Sequence, residues 1–388
     1  MKHFSHINSA TEILQEYSGK EPFSHFIKNF FKQNKKFGST DRKTISHLCY
    51  CYFRLGYALK NISLEEKILT GIFLCNQSNH ELLNHFKPEW NKNIKLPFEN
   101  KLSFLNYPFL VSDIFPWQEE LSEGIAHEKF CRSFLIQPDL FLRIRPGNEQ
   151  SVINKLSAAN VEFRQINTSC VALNNSTKLE TIIDINKEAV IQDYNSQQTE
   201  NFFELETQNS KLKTVWDCCA ASGGKSIMLY DIDPKIELTV SDIRESIISN
   251  LIKRFSEAGI KKYHSFVRDL STTNYKLQTA NYDFIVADVP CSGSGTWSRT
   301  PEALLFFDKK KIDEYADLQK KIVCNVIPSL KKNGRFMYIT CSVFKKENEE
   351  IVEFIQKKFS MKLEKMETLK GYYKKADTMF AAGFINVI

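Results

Sequence analysis

The sequence contains no C-x-x-C pair, no internal repeat, no low-complexity tract, and no apolar run near the roughly 20 residues that cross a bilayer. The first absence argues against zinc ribbons. Ten cysteines are scattered over 388 residues, and their nearest approaches, Cys49-Tyr50-Cys51 and Cys218-Cys219, are not usual zinc spacings. No metal site is therefore expected, and the thiols are expected to be reduced. The opening MKHFSHINSATE lacks an apolar stretch, so no secretory leader is expected, and the cytoplasm is the expected location. With 42% hydrophobic and 25% charged residues the chain is not disordered, and its length suits two or three domains.

Charge is unevenly spread. Residues 1–100 carry 14 Lys/Arg against 9 Asp/Glu, residues 101–250 carry 14 against 21, and residues 251–388 carry 24 against 16. Basic ends around an acidic middle suit a polyanionic partner, and equally an ordinary solvated surface. The first part reads as a helical bundle. Phe23, Phe26, Ile27, Phe30 and Phe31 share one helical face, and so do Ile45, Leu48, Cys49, Tyr52 and Phe53. Ser63-Leu64-Glu65-Glu66 forms a capping box ahead of Ile68, Leu69, Ile72 and Phe73.

Residues 106–205 read as a small α+β module, with short β-like runs at Phe141–Arg145, Val161–Ile166, Cys170–Leu173 and Ala189–Gln192. Alternation in the first would bury one strand face and leave Arg143 and Arg145 on the other, as a basic surface presented to a partner or simply a solvated one. From 206 onward strands alternate with helices. Apolar runs at Thr214–Trp216, Ile236–Val240, His264–Val267, Asp283–Ala287 and Arg335–Ile339 predict a mainly parallel sheet covered on both faces. Helical patterns are closed by Ala258-Gly259 and by Asn333-Gly334. The expected boundaries are thus 1–105, 106–205 and 206–388.

Ligands of such sheets bind beyond the carboxyl ends of the strands. The first strand runs into Asp217-Cys218-Cys219-Ala220-Ala221-Ser222-Gly223-Gly224-Lys225-Ser226, a small-residue turn that lets backbone approach a ligand. A triphosphate-binding loop needs a glycine where Cys219 stands, and no G-x-G-x-x-G follows any strand. The second strand ends at Asp242, 19 positions beyond Gly223 and placed to accept from a ribose diol. The third ends at Asp269, placed for an adenine amino group. Three strands delivering these groups to one rim point to an adenosyl cofactor. The fourth and fifth strands deliver Asp288-Val289-Pro290-Cys291 and Thr340-Cys341-Ser342 to the same rim.

Taken together, these segments resemble the Nol/Nop/Sun (Sun/Fmu-type) family of RNA cytosine-C5 methyltransferases. Cys219–Lys225 is similar to C-A-A-P-G-G-K, Asp288–Gly293 to D-A-P-C-S-G, and Thr340–Ser342 with Glu347-Asn348-Glu349 to T-C-S…E-N-E. Ala189–Gln197 resembles Q-D-x-x-S-Q, and Asp377–Phe380 resembles D-G-F-F. Phe37–Gly56 is similar to the NusB-like domain of bacterial small-subunit rRNA members. Ser222, Val289, Ser298 and Thr378 depart from the family pattern.

The resemblance implies a Rossmann-like class I methyltransferase domain that uses S-adenosyl-L-methionine. It also implies methylation of cytosine carbon 5 in RNA, with small-subunit (16S) rRNA as the leading substrate and a monomer as the leading state. Carbon 5 is a poor nucleophile until a thiolate adds to carbon 6. The resemblance assigns that thiolate to Cys341 and assistance of release to Cys291, with Asp288 on the base edge. Spacing alone leaves the two cysteines interchangeable. Cys219, Ala220, Ala221, Ser222, Gly223, Gly224, Lys225, Asp242, Asp269 and Asp288 would bind the cofactor, and Arg143, Arg145 and Arg299 would bind RNA. The alternatives are a tRNA cytosine-C5 methyltransferase and a non-catalytic RNA-binding ribosome-assembly factor. A nucleotide hydrolase using Gly224-Lys225-Ser226 is a further rival.

Overall fold

A computed structural model describes residues 2–203, 206–207, 210–211, 213–272 and 282–387. The chain forms two compact units. One comprises residues 1–119, 126–137 and 296–309, the other residues 120–125, 138–295 and 310–388.

The first unit is helical. Its helices Phe23–Gln33, Ser39–Phe53 and Leu64–Cys75 are those read from spacing, and Lys2–Glu16 precedes them. Phe23, Ile27, Phe30 and Phe31 form the buried face of the earliest of the three. Burying each such side chain contributes about 1.5–3 kcal/mol. The Ser63 hydroxyl accepts the Glu66 N–H at 3.3 Å, so one half of the expected capping box is formed. Residues 296–309 return to this unit from far along the chain. Arg54, buried, donates to the carbonyls of Phe134 at 2.7 Å, Ile136 at 3.1 Å and Ser298 at 3.0 Å. The Phe23 N–H meets the Glu302 carboxylate at 3.3 Å.

In the second unit, β1 (Leu140–Ile144), β2 (Phe163–Asn167), β3 (Cys170–Leu173) and β4 (Ala189–Ile191) form a sheet in the order β2-β3-β1-β4. The short strands β5 (Glu206–Thr207) and β6 (Ser210–Lys211) pair with each other in antiparallel fashion. The large sheet contains β7 (Thr214–Asp217), β8 (Glu237–Asp242), β9 (Tyr263–Val267), β10 (Tyr282–Asp288), β11 (Leu330–Thr340), β12 (Lys362–Leu369) and β13 (Met379–Ile385). Its order is β12-β13-β11-β10-β7-β8-β9. The strands from β11 to β9 in that order pair in parallel, while β13 lies antiparallel to both β11 and β12.

Side chains alternate between two cores, as a period of two requires. Val215, Phe284, Val286 and Ile339 enter one core, and Trp216, Ile285, Phe336 and Tyr338 the other. Both faces are covered, which is why these strands read as nearly continuous apolar runs.

Two features differ from expectation. The helix Lys311–Val326 is closed by the turn Ile327–Ser329, where Pro328 has no N–H to offer, and not by Asn333-Gly334. Those two residues lie inside β11, with Asn333 left-handed at φ 61° where the pairing with β10 shifts register. The antiparallel pair β12 and β13 was not expected. Strand β12 (KLEKMETL) is an exposed edge rich in charge, so its apolar alternation is weak. Among the described residues no helix is long and apolar enough to cross a membrane.

Candidate active site

The ends of β7, β8, β10 and β11 open onto one cavity of about 540 Å³. Cys219, Ala221, Asp242, Asp269, Asp288, Cys291 and Cys341 all line it. Apolar walls come from Ile243, Leu270 and Ile322. Carboxylates on two adjacent strand ends facing an apolar slot are the acceptor set an adenosyl group needs, and the cavity is large enough for one.

The turn after β7 is shaped by Gly223 at φ +84°, where a Cβ would lie 2.8 Å from Phe255. Ala221 is also left-handed, at φ 45°, and its N–H donates to Asp242 at 3.1 Å. The Ala220 N–H is engaged by the Ser241 carbonyl at 2.9 Å. Ser222, standing in place of the family proline, accepts from Arg254 through both its carbonyl and its hydroxyl, each at 2.7 Å. Only Cys219 and Ala221 of the expected cofactor loop reach the cavity wall. Gly223 and Gly224 set the turn and the start of the helix Gly224–Ile232 behind them.

Lys225 projects from that helix toward Asp288, with 2.6 Å from Nζ to Oδ2, and lies 3.3 Å from the Ser196 hydroxyl. Burial disfavours its ammonium, yet Asp288, Cys341 and Asp217 around it hold its proton more tightly than in an ordinary lysine. Partial burial works against the Asp242 charge as well, but hydrogen bonds from Arg244 and Ala221 leave its carboxyl below the usual range. Asp269 accepts from its own Ser271, N–H at 2.8 Å and hydroxyl at 2.6 Å.

The two cysteines adjoin. The Cys341 N–H donates to Cys291 Sγ at 3.3 Å. Burial, followed by the charges of Asp288 and Cys291, raises the Cys341 thiol, while Lys225 opposes the rise. Burial and then Glu347 raise the Cys291 thiol. Desolvation thus outweighs the Lys225 charge and holds the Cys341 thiol above its usual range. Gly295 explains how the loops come so close. Its N–H donates to the Cys341 carbonyl at 2.8 Å, and a Cβ there would fall 1.9 Å from the Thr378 carbonyl.

Arg143 and Arg145 do not form the RNA-facing surface expected of them. Arg143 donates to Asp231 at 2.6 Å and to Gln192 at 2.8 Å, and Arg145 donates to the same Asp231 at 2.7 Å and to the Ala258 carbonyl at 2.7 Å. The strand alternation was sound, but the second face of β1 is covered by the helix that carries Asp231. Arg299 belongs to the helical unit, where it is half-buried with its N–H on the Thr296 carbonyl at 2.9 Å.

Several contributors were missed from sequence. Arg244, two residues beyond Asp242, binds both its oxygens at 3.0 and 3.2 Å. Ser196 lies in the Q-D-x-x-S-Q segment, so a signal existed without a role attached. Glu347 likewise sits in the E-N-E segment. Among the described residues no group of three or more His, Cys, Asp or Glu is placed to hold a metal ion.

With this geometry in hand, the comparisons with known proteins are specific. The family model for 16S rRNA methyltransferase RsmB/F matches residues 203–382. The probable ribosomal RNA small subunit methyltransferase B of Bacillus subtilis (strain 168) is 28% identical over 239 residues, 60% of this chain and 52% of that protein. The ribosomal RNA small subunit methyltransferase B of Enterobacter sp. (strain 638) is 32% identical over 154 residues, 39% of this chain and 35% of that one. The aligned region thus spans about half of the first relative and a third of the second. The crystal structure of PH0851 superposes with a TM-score of 0.70 at 18% identity, over 99% of this chain and 98% of that one. NSun6 from Pyrococcus horikoshii, solved with SFG, gives 0.60 at 14% identity, over 70% and 97%. The structural likeness shows a Rossmann-like α/β fold, and over residues 203–382, the stretch that carries the cavity-forming strands, the chain is similar to the RsmB/F methyltransferase model.

Proposed function

We propose that this protein methylates carbon 5 of a cytosine in RNA, with S-adenosyl-L-methionine as methyl donor and small-subunit ribosomal RNA as substrate. The observation that carries the reading is the pair of thiols on one cavity wall, joined by the 3.3 Å contact from the Cys341 N–H to Cys291 Sγ and flanked by Asp288. The names of the matched family and of its relatives support the ribosomal substrate.

The cofactor would supply a methyl group made electrophilic by its sulfonium. Asp242 would hold its ribose diol and Asp269 its adenine, with Ile243, Leu270 and Ile322 against the ring. The protein's own residues then do the rest. Cys341 gives its proton to solvent and adds as the thiolate to carbon 6, so that electron density moves to carbon 5. Asp288 holds the base edge, and Lys225 behind it balances the negative charge of carboxylate and thiolate. Carbon 5 would take the methyl group as its bond to the donor sulfur breaks and the donor leaves as a neutral thioether. Cys291, as a base, takes the carbon-5 proton, and the electrons of that C–H bond expel the Cys341 thiolate. The target must be unstacked for both ring faces to be reached. Residues 1–105 and the 106–205 module would position the RNA, with Arg299 as a phosphate contact and residues 206–388 carrying the chemistry.

Bisulfite sequencing of small-subunit rRNA from cells with and without the protein tests the assignment. One or more cytosines should lose protection when the protein is absent. An unchanged rRNA pattern together with a changed tRNA pattern would move the substrate to tRNA, and no change in either would defeat the reading.

A further inference from the structure

The Glu347 side chain is fully buried, and one carboxylate serves both cysteine-bearing turns. Its Oε2 accepts the Ser292 N–H at 2.8 Å, and its Oε1 accepts the Ser342 hydroxyl at 2.7 Å. Ser292 immediately follows Cys291, and Ser342 immediately follows Cys341. Gln319 adds a third donor to Oε2 at 3.0 Å. Tyr338, on β11, donates to the Glu347 carbonyl at 2.7 Å and fixes its backbone. The next residue, Asn348, also fully buried, brackets Cys341 by accepting from the Thr340 hydroxyl at 2.6 Å and donating to the Ser342 carbonyl at 3.0 Å.

A buried carboxylate costs several kcal/mol unless hydrogen bonds replace its water. Burial raises the Glu347 carboxyl above its usual range, and the three donors, Ser292, Ser342 and Gln319, oppose that rise by favouring the ionised form. A purely structural strut between two loops would be better made from apolar packing. What a carboxylate adds is directional bonding to two turns at once.

We propose that Glu347 is a positioning residue that sets the spacing of the Cys291 and Cys341 thiols, so that both act on one substrate ring. The inference rests on the proposed methyltransferase reading. Its charge has a second consequence. Asp288 faces both thiols and Asp377 also faces Cys341, whereas Glu347, Tyr315 and Tyr338 face Cys291 and Lys225 faces Cys341. The two thiols thus share the Asp288 charge and differ in their second neighbour, the Glu347 carboxylate for Cys291 and the Lys225 ammonium for Cys341.

Three variants test this: Glu347→Gln, Glu347→Asp and Glu347→Ala. Glutamine keeps an acceptor for Ser292 and Gln319 and turns a donor toward the Ser342 oxygen. Aspartate keeps the charge but is one methylene too short to span both turns. The expected pattern is kcat down at least 100-fold in Glu347→Asp and Glu347→Ala, with RNA KM and S-adenosylmethionine Kd within about threefold of wild type. Glu347→Gln should keep kcat within about tenfold while its Cys291 alkylation profile moves to lower pH. Bimane cross-linking of Cys291 to Cys341, which needs no RNA, should fall at least tenfold in Glu347→Asp. A folded Glu347→Asp protein with wild-type kcat and wild-type cross-linking overturns the proposal; should the alanine variant fail to fold, the aspartate variant alone decides. Absence of methyl transfer in wild type would count against the methyltransferase reading, and the cross-linking result would still judge Glu347.

Discussion

The backbone N–H of Cys341 points at the sulfur of Cys291 from 3.3 Å, so the residue that follows β11 is tied to the turn that follows β10. Strands β10 and β11 are parallel neighbours paired from Phe284↔Arg335 to Asp288↔Ile339. Parallel register therefore delivers the two turns side by side, and the cysteines meet without long loops.

That adjacency makes the two alanine variants informative. Cys341→Ala is expected to abolish both methylation and covalent capture of RNA. Cys291→Ala is expected to leave protein bound to RNA on a denaturing gel, because the adduct forms and release is slowed. The opposite pattern, with Cys341→Ala trapped and Cys291→Ala free, would exchange the two roles.

Arg143 and Arg145 are expected to matter for stability. Both guanidiniums converge on Asp231, whose side chain is 6% exposed. Removing one partner of a buried pair costs about 3–5 kcal/mol. Asp231→Asn, or the double change of Arg143 and Arg145 to Glu, should lower Tm in a thermal melt and reduce soluble yield. A double variant with wild-type Tm and weakened RNA binding would restore the basic-surface reading.

Much of the architecture was legible because the helices and parallel strands bury whole faces, and burial writes periodicity into the sequence. Phe23 to Phe31 and Phe284 to Ala287 are cases of each kind. The candidate site was legible where chemistry demands rare residues at strand ends, as with Asp242, Cys291 and Cys341. What escaped was set by tertiary partners with no local signature. The Arg143 strand face alternates as predicted, yet only the fold reveals that Asp231, some 88 positions away, covers it. Arg244 likewise looks like an ordinary surface charge until its partner is seen, whereas Glu347 stood in a recognisable E-N-E segment and lacked only a role.

Asp217 should impose a pH dependence on stability. Burial pushes its carboxyl up to about 7 against a hydrogen bond from Ser226, which lies 2.6 Å from Oδ2. In the unfolded chain the group releases its proton near pH 4, so between about 4 and about 7 the folded state binds the extra proton. Stability from this group is thus full below pH 4 and lost as pH rises toward 7. The loss is a few kcal/mol in order of magnitude. Asp217→Asn, which keeps an acceptor for Ser226, should flatten that part of a Tm-versus-pH curve and exceed wild type at pH 8. Parallel curves for the two proteins would exclude this source of pH dependence.

The Cys341 thiol should respond to positive charge in the cavity. Burial first, then Asp288 and Cys291, raise it, and Lys225 is the cation that pulls it back. Removing that cation in Lys225→Met should slow iodoacetamide alkylation of Cys341 at pH 7.5, followed by mass spectrometry of the modified peptide. Adding a cation should do the reverse. S-Adenosylmethionine carries a sulfonium, whereas S-adenosylhomocysteine has the same shape without the charge or the methyl group. A shift of one pKa unit changes the thiolate fraction about tenfold when the thiol predominates. Cys341 should therefore alkylate several-fold faster with the first ligand than with the second, although both occupy the cavity and shield it alike. Equal rates with the two ligands would mean that the thiol is ionised by the arriving base and not by the charged donor.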